Sequence, residues 1–160
     1  MLDAETVRRI HADAAARYPA ECCGFVRGRR VVPCRNVIAE LAAARGKVRD
    51  AGSGFAFGPA DLRALDDSFD SADPAHTIYH SHVGAGAFLS AEDLRYALVD
   101  GRPAHPVEHL VVDVLGGAVA GSRVFAFDPA RGSYAPVRDH DADGNPVALG
   151  LLPGRRGRFA

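Results

Sequence analysis

Tryptophan is missing from the chain, methionine occurs once, and cysteine occurs three times, at Cys22, Cys23 and Cys34. An odd number of cysteines, two of them adjacent, does not make a disulfide framework, and with no CxxC pair there is no zinc knuckle. The three read as reduced, partly buried thiols. An excess of charge is lacking too: 19 Lys and Arg against 20 Asp and Glu give a net charge of -1. No basic surface is therefore expected to attract nucleic acid or an anionic membrane. No apolar run approaches the roughly 18 residues needed to span a bilayer. The opening stretch MLDAETVRRIHADAA is amphipathic and carries acids, unlike a secretory signal. A cytoplasmic location is the expectation. No GxxxxGK[ST] occurs, so the glycines form no phosphate loop.

What remains is a chain of 160 residues, 48% hydrophobic and 24% charged, the size and balance of one globular domain. Val7, Ile10 and Ala14 at helical spacing predict a first helix over 3–16, capped by Asp3 and ended at Tyr18-Pro19. CGFVRG and RRVVPCRNV predict two strands around a turn at Gly28 to Arg30, and GFAF (54–57) a third. Residues 39–53, polar and small, read as a loop or weak helix between them. PADLRALDDSFD predicts a helix with Pro59 in its first turn. HTIYHSH predicts a strand, and a helix is expected from about Ala91 to Val99. EHLVVDVLGG and AVAGSRVFAFD predict a hairpin turning at Gly116-Gly117, with SYAPV as an edge strand. Residues 1–138 form the expected domain, of α+β class with a mixed sheet and flanking helices, and 139–160 a partly ordered tail. Within the tail DHDADGN resembles a calcium loop but has Gly150 where the twelfth-position glutamate belongs, so it reads as a solvated turn.

One stretch stands out chemically: HSHVGAGAFLSAED, His80 to Asp93. Side chains alternate along a strand, so His80 and His82 leave one face, two residues apart. Asp93 can add a third, harder donor, and two imidazoles with one carboxylate make up the ligand set of a hydrolytic zinc site with one open position. Ser90-x-x-Asp93 is equally a helix cap, which needs no metal. Both readings stand on the residues alone, and they are compatible.

The stretch fits H-x-H-x7-S-x2-D, and with ECCGFVRG (Glu21 to Gly28) upstream it resembles the signature of the JAMM (MPN+) metalloproteases. The resemblance covers about residues 3–137. It implies a single MPN domain of cytidine-deaminase-like fold and one Zn2+ per chain held by His80, His82 and Asp93. It also implies Glu21 as general base and Ser90 as the donor to the substrate carbonyl, with Ser81 in support. Val83 and Leu89 stand where the family commonly has proline, which bears on loop rigidity and subgroup. The short chain is similar to the stand-alone prokaryotic type. That type implies hydrolysis after the C-terminal Gly-Gly of a ubiquitin-like sulfur-carrier protein, releasing cysteine or trimming the tail. Residues 39–53 and the VGAGAF loop are the expected walls of the cleft. Two other classes stay open: a metal-free MPN-type interaction scaffold, and a metallopeptidase acting on small peptides.

Overall fold

The computed structural model describes residues 2–152. Helix α1 (Ala4–Arg17) starts where the Asp3 carboxylate accepts the Thr6 N–H at 2.8 Å. Val7, Ile10, His11 and Ala14 form its buried stripe. Tyr18 then turns extended, as a residue before proline must. Strands β1 (Cys23–Arg27) and β2 (Arg30–Cys34) follow as a hairpin, then helices α2 (Ile38–Ala43) and α3 (Pro59–Ser68). Strand β3 (Ala75–Val83) leads to α4 (Ala91–Ala97) and a two-rung hairpin of β4 (Leu98–Val99) and β5 (Arg102–Pro103). Strands β6 (Glu108–Leu115), β7 (Ala118–Asp128), β8 (Ser133–His140) and β9 (Pro146–Val147) complete the described chain.

Seven strands make one mixed sheet, in the order β2-β1-β3-β6-β7-β8-β9. Only β3 and β6 run parallel, because the chain between them crosses over through α4; the other neighbours are antiparallel. Period-two alternation divides the sheet's side chains between two covers. Cys22, Val26, Tyr79, Leu110, Val112, Val114 and Val124 pack under Val7, Ile10 and Ala14 of α1. On the other face Cys23, Phe25 and Ile78 pack against Leu65 of α3, while Val111, Phe125 and Tyr134 pack against Ala97 of α4. Each fully buried aliphatic contributes about 1.5–3 kcal/mol of transfer free energy. The result is the expected α+β architecture, a mixed sheet with helices on both faces.

Gly24 shows how tightly β1 and β3 are joined. A Cβ there would stand 2.4 Å from the Val32 carbonyl oxygen and 2.5 Å from the Tyr79 ring, so the ring lies directly over the glycine. Tyr79 is held in place by donating its O–H to Asp13 Oδ2 of α1 at 2.9 Å.

Several elements differ from expectation. GFAF is not a strand: Phe57 makes one isolated bridge to Asn36, and the Asn36 side chain donates to the Gly54 carbonyl and accepts the Ala56 N–H. Residues 38–43 are helical and 44–53 are not. Helix α4 stops at Ala97, because Asp100-Gly101, both at positive φ, turn the chain back as the β4–β5 hairpin. Strand β8 runs past Val137 to His140 and is not an edge, since β9 pairs with it. Asp139 is fully buried against Arg123, with Nε–Oδ1 at 2.6 Å. Only the DADGN part of DHDADGN, residues 141–145, is a turn, in which Asp141 accepts the N–H groups of Asp143 and Asn145. Residues 153–160 of the expected tail lie outside the described residues.

Candidate metal centre

Register places the site. Cys23 pairs with His80 on β3, and the ladder continues one rung further: Ser81 donates its N–H to the Cys22 carbonyl at 3.1 Å and accepts the Cys22 N–H on Oγ at 2.8 Å. That rung carries Glu21 to the level of His82. Gly84 and Gly86, both at positive φ, then curl the chain so that α4 starts above the end of β3.

Three donor atoms converge there. His80 Nε2 and His82 Nε2 are 3.2 Å apart, and each lies 3.4 Å from Asp93 Oδ2. Corners of a tetrahedron centred on an ion about 2.0–2.1 Å away would be spaced by about 3.3–3.4 Å. The donor set and its spacing therefore fit a small divalent cation, and among the described residues this is the one such group of His, Cys, Asp and Glu. His82 Nδ1 is 3.0 Å from the Gly86 carbonyl oxygen, which can only accept, so Nδ1 carries the hydrogen and Nε2 keeps its lone pair for the cluster. Gly86 in turn donates its N–H to Asp113 Oδ1 at 3.1 Å. His80 stacks on Phe55 at 4.5 Å, and Phe88 meets the His82 ring edge-on at 4.9 Å.

The capping and metal readings of Ser90-x-x-Asp93 coincide. Asp93 Oδ2 accepts the Ser90 N–H at 2.7 Å, and Ser90 Oγ accepts the Asp93 N–H at 3.1 Å, a reciprocal capping box. The same Oδ2 faces both histidines. The cap fixes the rotamer, and the fixed rotamer presents the donor.

Burial governs the electrostatics. It disfavours the cation of His80, holding that imidazole below its ordinary value and neutral, as a ligand must be. Burial also pushes His82 down, but hydrogen bonding to Asp93 and the charge of Glu21 outweigh it and raise the group. For Asp93 burial acts upward and loses to His80, His82 and Ser90, which hold the carboxyl well below the usual range. Glu21 is only 6% exposed. Burial, then the like charges of Asp93 and Glu92, push it up to about 7 against the opposing pull of His82 and Arg49. A buried carboxyl beside three donor atoms that could hold a metal is suited to moving protons.

With this geometry established, comparison with known proteins decides the family. Residues 3–128 match the family described as prokaryotic homologs of the JAB domain. The chain belongs to this family of JAB-domain homologs. The JAB fold also recurs among solved structures. Protein DSY2949 from Desulfitobacterium hafniense is 21% identical, with a TM-score of 0.58 over 83% of this chain and 86% of its own. A protein from Salinibacter ruber is 18% identical, with a TM-score of 0.51 over 93% of this chain and 92% of its own. At these identities the likeness shows the fold alone. No curated protein matches the sequence.

The JAB-domain site thus brings His80, His82, Asp93, Ser90 and Glu21 together. The remaining histidines lie elsewhere. His76 contacts the Gly28 carbonyl, His105 pairs with Asp66, and His109 packs edge-on against Tyr134 with burial lowering it to about 3. Arg49 and Phe88, from the expected wall segments 39–53 and VGAGAF, also surround the site, together with Phe55, Glu92 and Asp113, which the sequence did not point to. Asp113 did leave a signal: a lone acid inside the apolar run EHLVVDVL is costly to bury without a partner. No helix among the described residues is long and apolar enough to cross a membrane.

Proposed function

We propose that this JAB-domain protein is a zinc-dependent hydrolase of an amide bond, with His80, His82 and Asp93 as ligands to one Zn2+ per chain. The observation that carries the reading is the convergence of three donor atoms at 3.2–3.4 Å, two of them on buried histidines, beside the buried carboxyl of Glu21. A bound ion there supplies Lewis acidity, which polarises a carbonyl and makes water acidic enough to attack at neutral pH. Glu21 takes the proton of the attacking water and returns it to the nitrogen of the leaving amine, so the residue ends each turnover as it began. Ser90 uses Oγ to accept the Asp93 N–H, and its own O–H serves as donor to the carbonyl oxygen as charge develops. Phe55 and Phe88 exclude water on either side of the imidazoles.

The substrate is the extended Gly-Gly tail of a ubiquitin-like sulfur-carrier protein in the cytoplasm, cut after the second glycine to release a cysteine or a short tail. Glycine lets a backbone approach a cluster recessed between aromatic walls, and an extended tail can pair along an exposed strand. Residues 39–53 and the VGAGAF loop form the walls. A metal-free scaffold would have no need of three aligned donors and a buried acid. The test is to offer the zinc-loaded protein a sulfur carrier ending in Gly-Gly-Cys, with Glu21→Gln as control, and to weigh the products. A loss of one residue, absent in the control, is expected. Short peptides cut as fast as the intact carrier would replace this substrate with small peptides, and no cleavage of either by zinc-loaded protein would remove the hydrolase.

A further inference from the structure

The segment 44–53 has almost no packing of its own, and Val48 is wholly exposed. It is nonetheless tied to both sides of the metal centre within three residues. On one side the Ala51 carbonyl accepts the Glu21 N–H at 2.8 Å. Asn36 fixes the same junction by donating Nδ2 to the carbonyls of Glu21 at 3.0 Å and Gly54 at 2.9 Å. On the other side Arg49 reaches Glu92 in bidentate fashion, Nη1 to Oε1 at 3.0 Å and Nη2 to Oε2 at 2.5 Å. Arg49 Nη2 also donates to the Ser53 carbonyl at 2.8 Å, so the guanidinium closes its own loop. It passes so close to Gly54 that a Cβ there would stand 2.4 Å from Nη2.

Arg49 and Glu92 are each about one-third exposed, at 31% and 34%, and an ion pair in that setting adds only about 0–1 kcal/mol of stability. Its place matters more. Glu92 is the second residue of α4, a helix of seven residues, and immediately precedes Asp93. We infer that Arg49 is a positioning residue: through Glu92 it sets the start of α4 and hence Asp93, and through the Ala51 carbonyl its segment sets Glu21. Residues 49–51 are a brace that fixes the separation between the proton-carrying carboxyl and the carboxylate donor. The bidentate fork matters because it restrains orientation as well as distance, which a lysine ammonium does not. A misplacement of about 1 Å in such a site costs up to ~100-fold in rate. The inference rests on the hydrolase reading for its kinetic consequence and on geometry alone for its structural one.

The test uses the full chain with Arg49→Met, Glu92→Gln, the double variant, the charge-swapped pair Arg49→Glu with Glu92→Arg, and Arg49→Lys as a milder change. Amide hydrogen exchange is read first, because it needs neither metal nor substrate. Breaking the pair is expected to speed exchange at both Glu21 and Asp93, far apart in sequence, while the amides of β6 and β7 keep their protection. Zinc loss to a chelator is expected to quicken, and kcat to fall about tenfold with KM within about twofold. The double variant should be no worse than either single one, and the charge-swapped pair should recover part of the loss. Exchange changed at neither or only one of the two amides would overturn the brace, even in a protein that binds no zinc. Effects of the two single changes that multiply in the double variant, or a rise in KM alone, would overturn it equally.

Discussion

His11 and His140 share Ser122 on the α1 side of the sheet, whereas His80 and His82 share Asp93 on the side of α3 and α4. All four imidazoles are buried, yet the two clusters are built to opposite ends. At the first, His11 Nε2 lies 2.9 Å from Ser122 Oγ, which lies 3.5 Å from His140 Nδ1, and His11 Nδ1 lies 3.2 Å from the Ala142 carbonyl. The Ala142 carbonyl can only accept, so His11 carries its hydrogen on Nδ1 and takes the Ser122 O–H on Nε2, while Ser122 Oγ is free to accept from His140 Nδ1. Each shared hydrogen in this chain of neutral groups has one donor and one acceptor. That cluster fastens α1 to β7, β8 and the turn after β8. At the second, two ring nitrogens and a carboxylate oxygen face one point, and no hydroxyl stands between the rings to link them. Buried histidine alone is a structural device; convergence on one point with a carboxylate makes a site.

Substitutions can break that comparison. Asp93→Ala has the largest expected effect, removing both a donor and half of the capping box. Zinc retention and amide hydrolysis should be lost together, measured by metal analysis and turnover, while Ser122→Ala leaves both unchanged. Glu21→Gln should keep zinc but lower kcat by about 10²–10⁴-fold, because only the proton transfer is removed. Gly24→Ala forces a methyl into the Val32 carbonyl and the Tyr79 ring and should destabilise the fold by about 1–3 kcal/mol in urea denaturation. Ser122→Ala leaves two buried imidazoles short of a partner, at about 1–2 kcal/mol by the same measurement.

The smallest effect is in pH. Burial holds His11 and His140 below the ordinary value of 6.5, aided at His140 by the charge of Arg138 and opposed by the Ala142 carbonyl at His11 and by Asp139 and Asp141. The unfolded chain therefore binds more protons than the folded one as pH falls through about 6.5. Stability contributed by the two groups is full above that value and declines below it. His109, lowered to about 3, acts in the same direction. Thermal melts of the zinc-loaded protein from pH 8 to pH 5 should show a falling Tm, with a shallower slope in His140→Gln.

What the sequence made legible was local. His80, His82, Ser90 and Asp93 fall within 14 consecutive residues, and strand alternation plus a helix cap are enough to align their donors. Glu21 was different, because its place depends on which strand pairs with β3, a long-range choice no periodicity reveals; the resemblance of ECCGFVRG supplied it. GFAF misled because its alternation has no partner strand, and Asn36 side-chain bonds satisfy its backbone instead. The end of α4 was written in Asp100-Gly101, a two-residue hairpin turn that helical periodicity obscured. Asp139 and His140 looked like tail because charge and turn residues surround them; Arg123 and Ser122, some 16 to 18 residues earlier, bury them. Arg49 sits in a stretch without pattern, and nothing short of the fold connects it to Glu92.

The most direct test of the central claim is metal content after purified protein is offered zinc at neutral pH, for the wild type, Asp93→Ala and Ser122→Ala side by side. About one zinc per chain in the wild type and in Ser122→Ala, with almost none in Asp93→Ala, is the predicted result. No zinc in the wild type, or an equal amount in Asp93→Ala, would contradict the site and leave Ser90 and Asp93 as a helix cap alone.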